Sequence, residues 1–307
     1  MATPVAGATP LGPGTFPATV THMYGTTTIP AAPKRVVSIG FNDQDSILAL
    51  DVVPVGILRW FATQPRAVGP WAEPRLGSAQ PYIFDGTAEL DMEQVAKLAP
   101  DLIIGIYRDM KPEEYQRLSQ IAPTIAAPPA STPFGVPWRD EARLIGGALG
   151  QTAAMDKSIA DVEARFGGAQ RANPQFAGKN VVVSLPGADG QYFVYSSRDG
   201  RIQFMQSIGL TLAPAVDALE KTAFFSTLSR ERVNLMESDV LIFLVTSDAT
   251  LQALKADTLL QGLNVAKQNR VLYVTDLNIV YAFSMNSVLS LPYAIDKLVP
   301  QIAQVVK

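Results

Sequence analysis

With 307 residues, 48% hydrophobic and 17% charged, the chain is long enough for two domains and too apolar to remain disordered. A formal net charge of −3 and a pI near 5.3 exclude a general nucleic-acid binder, which needs a basic surface to displace counterions. The absence of cysteine and the single histidine, His22, exclude disulfides, thiol nucleophiles and histidine-rich zinc or manganese centres.

Residues 1–21 open with MATPVAGATPLGPGTFPATV, uncharged and rich in Pro, Gly, Ala and Thr, which predicts a flexible tail. The stretch has neither the basic n-region nor the apolar core of a signal peptide. No run in the chain approaches the ~18 apolar residues of a membrane span. An alternation of short strands and helices follows. RVVSIG (35–40), VVPVGIL (52–58), DLIIGIY (101–107) and TIAAP (124–128) read as strands. NDQDSILALD (42–51) reads as a helix with Asn42 or Asp43 as N-cap, MEQVAKLA (92–99) as a helix stopped by Pro100, and PEEYQRLSQIA (112–122) as a helix opened by Pro112. NDQD resembles a hard-cation site only superficially, because it lacks the glycine and distal Glu of a calcium loop.

Residues 137–172 are rich in helix formers, with apolar residues recurring at Leu144, Ala148, Met155, Ile159 and Val162. They predict one helix of about 50 Å, nicked near Gly146, Gly147 and Gly150. The alternation then restarts: strands at 180–186, 191–196, 239–245 and 270–276, helices at DGRIQFMQSIG (199–209), at ATLQALKADTLLQGL and in the C-terminal SVLSLPYAIDKLVPQIAQVVK.

The chain repeats itself. MEQVAKLAPDLIIG and RERVNLMESDVLIF each place Val two residues after a Glu (Glu93, Glu231), and Asp eight residues after it (Asp101, Asp239), followed by an apolar run. The Glu lies 57 residues after Val36 in the first half and 50 after Val181 in the second, so an internal duplication is expected. The expected fold is α/β: two Rossmann-like lobes (22–136 and 173–307) with mostly parallel sheets, joined by a long helix (137–172), and a ligand cleft between the lobes. In such sheets ligands bind beyond the carboxyl ends of the strands.

HMYGTTTIPAAPKRVVSIGFNDQDSILALDVVPVG, LDMEQVAKLAPDLIIG, YQRLSQIAPTIAAP, PWRDEARLIGGALG and SVLSLPYAID occur in that order. Together they resemble the iron–siderophore substrate-binding proteins of ABC importers, particularly their actinobacterial branch. The resemblance runs from about His22 to Pro300. It implies a non-enzymatic, extracytoplasmic receptor that passes a ferric siderophore to an importer, with no intrinsic cofactor and no metal ligated by the chain. It implies export and, in Gram-positive and mycobacterial relatives, a lipid anchor on an N-terminal Cys that this sequence lacks. The first residues then read as a tether left after a secretion signal, with Met1 added ahead of it; an ordinary terminal tail is the alternative. Partners implied are the siderophore and the importer's permease dimer, with the receptor itself a monomer. By position, Glu93 and Glu231 match the two surface Glu residues that dock on the permease subunits; a Glu in a first helical turn also favours the helix dipole without any docking.

Candidate ligand residues at or near strand ends are Arg59, Trp60, Phe61, Trp71, Tyr107 and Arg108 in the first lobe. In the second they are Tyr195, Arg198, Phe225, Tyr281 and Phe283. Aromatic walls and Arg donors suit a coordinately saturated ferric chelate better than direct metal ligands. A haem or corrinoid carrier on the same scaffold is the alternative, with Tyr or Met as axial ligand. An enzyme acting in the interlobe cleft is disfavoured: G-x-S-x-G, P-loop and G-x-G-x-x-G motifs are missing, and His22 has no nucleophile elbow to serve.

Overall fold

The computed structural model describes residues 14–187, 190–219 and 223–306. The chain forms two compact units, Met1–Asp161 with Ser287–Leu289, and Val162–Asn286 with Ser290–Lys307.

Unit 1 opens with a hairpin, β1 (Ala18–His22) and β2 (Gly25–Ile29), paired antiparallel from Ala18↔Ile29 to His22↔Gly25. The tail predicted to reach residue 21 therefore ends earlier, at Ala18; residues 1–13 lie outside the described residues. Ala18, Val20 and His22 point inward while Thr19 and Thr21 face solvent, the period-2 pattern of a half-buried strand. His22 fixes the hairpin from inside. Its Nδ1 accepts the Tyr24 N–H (3.2 Å), so Nε2 carries the proton toward Thr27 Oγ1 (2.9 Å), which in turn donates to the Thr124 carbonyl (2.7 Å). Burial holds the imidazole below its ordinary pKa.

The unit 1 sheet is built from β3 (Val36–Ser38), β4 (Gly56–Arg59), β5 (Tyr82–Asp85), β6 (Leu102–Gly105) and β7 (Thr124–Ala126), in the order β5-β4-β3-β6-β7 and parallel throughout. Alternate strand residues face opposite layers. Leu58 packs with Val37, Ile103 and Val95 of α3 (Met92–Lys97), whereas Ile57 packs with Leu48 of α1 (Asp43–Ala49) and Leu76 of α2 (Glu73–Leu76). α4 (Pro112–Ser119) covers the first face through Leu118.

The single long helix expected over 137–172 is two: α5 (Trp138–Ala148) and α6 (Thr152–Ala172). The break falls at Gly150, whose φ of 67° is left-handed and favours glycine. The division between the units falls within α6, so the boundaries drawn from sequence at 136 and 172 differ from the compact units themselves.

Unit 2 carries β8 (Asn180–Pro186), β9 (Tyr192–Tyr195), α7 (Gly200–Ser207), β10 (Thr211–Leu212), α8 (Pro214–Asp217), β11 (Phe225–Leu228) and β12 (Val240–Leu244). α9 (Asp248–Ala256), α10 (Thr258–Gln261), α11 (Asn264–Lys267), β13 (Val271–Val274), α12 (Leu277–Met285) and α13 (Ser290–Val305) complete it. The sheet order is β11-β9-β8-β12-β13, with β10 also on β8; β9 runs antiparallel to both of its neighbours and the other pairings are parallel. The helix expected over ATLQALKADTLLQGL splits at Asp257, whose carboxylate accepts the N–H groups of Leu259 (2.9 Å) and Leu260 (3.4 Å) and starts α10 afresh.

The repeated stretch has the same architectural meaning in both units. Asp101 accepts the backbone N–H groups of Lys34 and Arg35, each at 2.8 Å, just before β3. Asp239 accepts the backbone and side-chain N–H groups of Asn180, each at 3.0 Å, at the start of β8. In register, Leu102 pairs with Val36 and Val240 with Val181, one residue beyond each Asp. Each Asp thus fixes where two parallel strands begin.

Candidate functional site

In unit 1 the segments leaving the carboxyl ends of β3, β4, β6 and β7 bring five aromatic residues together. Trp60 stacks on Phe61 (4.6 Å between centroids) and lies 5.3 Å from Phe41 and 6.1 Å from Tyr107. Phe134 closes the set, 5.8 Å from Phe41 and 5.7 Å from Tyr107. Tyr107 is buried and the other four are half-buried, so the cluster is packed yet presents ring surface outward. Trp60, Phe61 and Tyr107 were expected here. Phe41 and Phe134 were not: Phe41 sits in the β3–α1 turn and Phe134 eight residues beyond β7, in a Pro-rich loop without periodicity.

The two arginines expected at these strand ends are both paired within the unit. Arg59 faces Asp85 at 3.6 Å. Thr87 donates to Asp85 from its N–H (3.0 Å) and hydroxyl (2.8 Å), which holds that carboxyl below its ordinary range. Arg108 makes a fork to Glu114 (2.5 and 3.2 Å) and reaches the Ile39 carbonyl at 3.3 Å. Both guanidinium groups therefore brace the strand ends rather than lie idle.

Trp71 stands apart from this cluster. Its ring packs against Leu48, Val68 and Leu76, and its Nε1–H donates to Asp45 Oδ2 at 2.7 Å. That bond leads into a polar interior that the sequence conceals. Asn42, Asp43, Gln44, Asp45 and Ser46, five consecutive polar residues, are all at most 1% exposed. Asn42 occupies the N-cap position of α1 without a side-chain capping bond, so the N-cap role expected of Asn42 or Asp43 is replaced by long-range contacts. Asp43 accepts the N–H groups of Ile106 (2.8 Å) and Tyr107 (3.0 Å). Gln44 donates to the carbonyls of Ala67 (3.2 Å) and Phe41 (3.3 Å). Asp45 accepts from Trp71 and from Ser287 Oγ (2.5 Å), and Ser46 hydrogen-bonds Glu141 of α5 at 3.2 Å. Desolvation pushes Asp43 and Asp45 up to about 6 and Glu141 well above its ordinary value. Despite these three carboxylates, among the described residues no group of His, Cys, Asp or Glu is arranged to hold a metal ion.

In unit 2, Tyr195 lies buried at the end of β9 beneath the Arg201 guanidinium, 4.1 Å from the ring centroid. Arg201 in turn forks onto buried Asp199 (2.8 and 3.0 Å). Arg198 is exposed beside it. Phe225 opens β11 and packs edge-on with Phe193 (5.2 Å) and Phe224 (4.8 Å). It lines a surface pocket of about 350 Å³ with Leu219, Ser226, Thr227, Leu228 and Arg232. Arg232, which lines this pocket, was not singled out by the sequence reading; it lies one position after Glu231 and carries no signal that separates it from any surface arginine. Tyr281 and Phe283 were expected as ligand residues in the segment 274–284. They lie within α12, capped by Asp276 through the Asn278 N–H (2.8 Å). Phe283 is 0% exposed and packs on Phe204 (5.1 Å), so it is a core residue rather than a ligand contact. Tyr281 is 9% exposed and buried along the same helix.

Glu93 projects from the first turn of α3 with its side chain 88% exposed, 3.8 Å from Lys97, while Asp91 caps the helix through the Gln94 N–H. Glu231 is exposed in the first turn of a 3₁₀ helix, Arg230–Met236, rather than of the α-helix its partner occupies. Its own backbone N–H and Ser229 hold its carboxyl below the ordinary range. Among the described residues no helix is long and apolar enough to cross a membrane.

Comparison with known proteins agrees with this architecture. Residues 43–276 match a family described as periplasmic binding protein. A periplasmic solute binding protein of Mycobacterium smegmatis superposes with a TM-score of 0.85 at 33% identity, over 94% of this chain and 99% of that one. Streptococcus pneumoniae PiaA in complex with ferrichrome superposes with a TM-score of 0.82 at 28% identity, over 94% and 98%. The Fe(3+)-citrate-binding protein YfmC of Bacillus subtilis is 26% identical over 250 residues, 80% of this chain and 75% of its own length.

Proposed function

The chain belongs to the periplasmic binding protein family, and we propose that it captures a ferric siderophore outside the cytoplasm and delivers it to an ABC importer. The observation that carries this reading is the aromatic surface of unit 1, where Phe41, Trp60, Phe61 and Phe134 stand half-buried beyond the carboxyl ends of a parallel sheet. Iron inside a siderophore has its coordination sphere filled, so the receptor's task is to match the organic shell. Ring faces supply apolar area and stacking at low entropic cost, and no ligand to the metal is required. Within unit 2, Phe225 and Arg232 line a pocket of their own that offers a ring and a cationic donor suited to the oxygen atoms of a chelate, and Arg198 is exposed. The similar YfmC is an Fe(3+)-citrate-binding protein and PiaA was solved with ferrichrome, which favours a ferric chelate over haem. Glu93 and Glu231 are the proposed docking points on two permease subunits, and the receptor acts as a monomer without catalytic chemistry.

The test is a titration of the folded protein with ferrichrome, ferric dicitrate and haem, following tryptophan fluorescence. Saturable quenching by a ferric chelate, absent with the metal-free chelator, is the expected result. A folded protein that responds to none of them refutes the reading. A Soret band on adding haem, lost on replacing one Tyr, would move the assignment to haem transport.

A further inference from the structure

The polar interior around α1 contains three fully buried carboxylates, and their hydrogen bonds distinguish them. Asp43 has both oxygens engaged by backbone: Oδ2 takes the Ile106 N–H (2.8 Å) and Oδ1 the Tyr107 N–H (3.0 Å). Gly40 contributes a further backbone hydrogen bond, and a Cβ on Gly40 would overlap the carboxylate, so glycine there is what allows this close approach. These three backbone N–H donors favour the charged form of Asp43. Asp45 differs, because Trp71 and Ser287 both donate to Oδ2 while Oδ1 has no donor among the described residues. Glu141 resembles Asp45: Ser46 bonds its Oε1, and Oε2 has no donor among the described residues. The charged groups facing this cluster are the three carboxylates themselves, Glu141 coming from α5, and Arg108 from the segment after β6.

We propose that Asp43 is a positioning residue for ligand binding: at neutral pH it is an anion of this buried cluster and holds the backbone that carries Tyr107 into the aromatic surface, while the proton that makes the cluster buriable sits on Glu141. Three like charges cannot share a water-free site, so at least one must be neutral. Glu141 accepts the proton at Oε2 without losing a bond, and Asp45 takes the next one in acid at Oδ1. Asp43, with three backbone N–H donors on its two oxygens, is the carboxylate whose surroundings most favour the charged form. The Tyr107 ring, set by that backbone, contacts Trp60 and Phe134 at centroid distances of 6.1 and 5.7 Å, which ties the anion to the ligand-facing rings. This inference rests on the siderophore reading for its ligand but not for its placement of protons.

The experiment compares wild type, Asp43→Asn and Glu141→Gln. Carboxyl carbon NMR of protein labelled at Asp and Glu, recorded from pH 4 to 8, locates the protons. Equilibrium dialysis against ferrichrome and ferric dicitrate at pH 7 measures binding. Asp43 is expected to stay ionised at pH 7 and Glu141 to stay protonated. Asp43→Asn turns an amide N–H toward a backbone N–H; it is expected to shift the Ile106 and Tyr107 amide resonances and weaken chelate binding about tenfold or more, the scale of one charge-assisted hydrogen bond. Glu141→Gln, an isostere of the neutral acid, is expected to weaken binding less than about threefold. An ionised Glu141 at pH 7, or a Glu141→Gln loss as large as that of Asp43→Asn, overturns the proton placement. Undiminished chelate binding by Asp43→Asn overturns the positioning role alone. Wild type that binds neither chelate overturns that role together with the siderophore reading. If Asp43→Asn does not fold, the carboxyl titration of wild type still decides which group carries the proton.

Discussion

Burying Asp45 makes an uncommon demand on stability: this protein should be stabilised, not weakened, by mild acid at that site. The Asp45 carboxyl rises from 3.8 unfolded to about 6 folded because desolvation outweighs its bonds to Ser287 and Trp71. A raised folded pKa means that the native state binds more protons than the unfolded chain between those values. Stability contributed by this group is therefore full below about pH 4 and is lost as pH rises through about 6. A shift of roughly two units is worth about 3 kcal/mol in full, and close to half of it lies between pH 5 and 7. Asp45→Asn removes the titration while its carbonyl oxygen still accepts from Trp71 and Ser287. The gain in urea-unfolding free energy on going from pH 7 to pH 5 should thus be smaller by about 1.3 kcal/mol in the variant than in wild type. Taking the difference between the two proteins cancels groups that titrate oppositely, such as His22, whose depressed pKa favours the folded state as pH rises. An equal pH dependence in both proteins would refute the buried-charge account, and a larger one in the variant would reverse its sign.

Replacing Glu93 or Glu231 with Ala should leave chelate affinity within twofold and lower uptake in cells carrying the importer; a loss of affinity in either would show that it belongs to the ligand surface. Trp60→Ala removes the ring that touches Phe41, Phe61 and Tyr107, and should weaken chelate binding by about 1–3 kcal/mol with the fold intact by circular dichroism. Asp101→Ala and Asp239→Ala should each lower unfolding free energy by about 1–3 kcal/mol, since each strands two N–H donors at the start of a parallel strand pair; a neutral result in one alone would break their equivalence. Gly40→Ala should destabilise by several kcal/mol, read as a lowered melting temperature, because its Cβ meets the Asp43 carboxylate rather than a flexible chain end.

The sequence alone determined the architecture, because that information is local. Continuous apolar runs marked the strands β6, β8 and β12: β6 and β12 are buried throughout and β8 from Val181 to Ser184. Pro112 marked a helix start and Pro100 a helix stop, and the repeated Glu-x-Val spacing with its Asp marked equivalent places in two units. Short or polar strands such as β1, β2, β5 and β11 were missed, since four or five mixed residues carry no periodicity distinct from a loop. Only the tertiary structure decided which aromatic residues form a surface. Trp60, Phe61 and Tyr107 were legible as residues following strands, but Phe41 joined Trp60 across 19 residues and Phe134 joined Tyr107 across 27, while Phe283 went to the core. The same holds for Asn42–Ser46. Read locally, these polar residues belong at a solvated helix start. Packing buries all five, and away from solvent Asp43, Asp45 and Ser46 turn to distant partners: the β6 end, the Trp71 loop, Ser287 and Glu141. Burial is a property of the assembled chain, and it turned an ordinary-looking cap into the hub that holds the proposed binding surface.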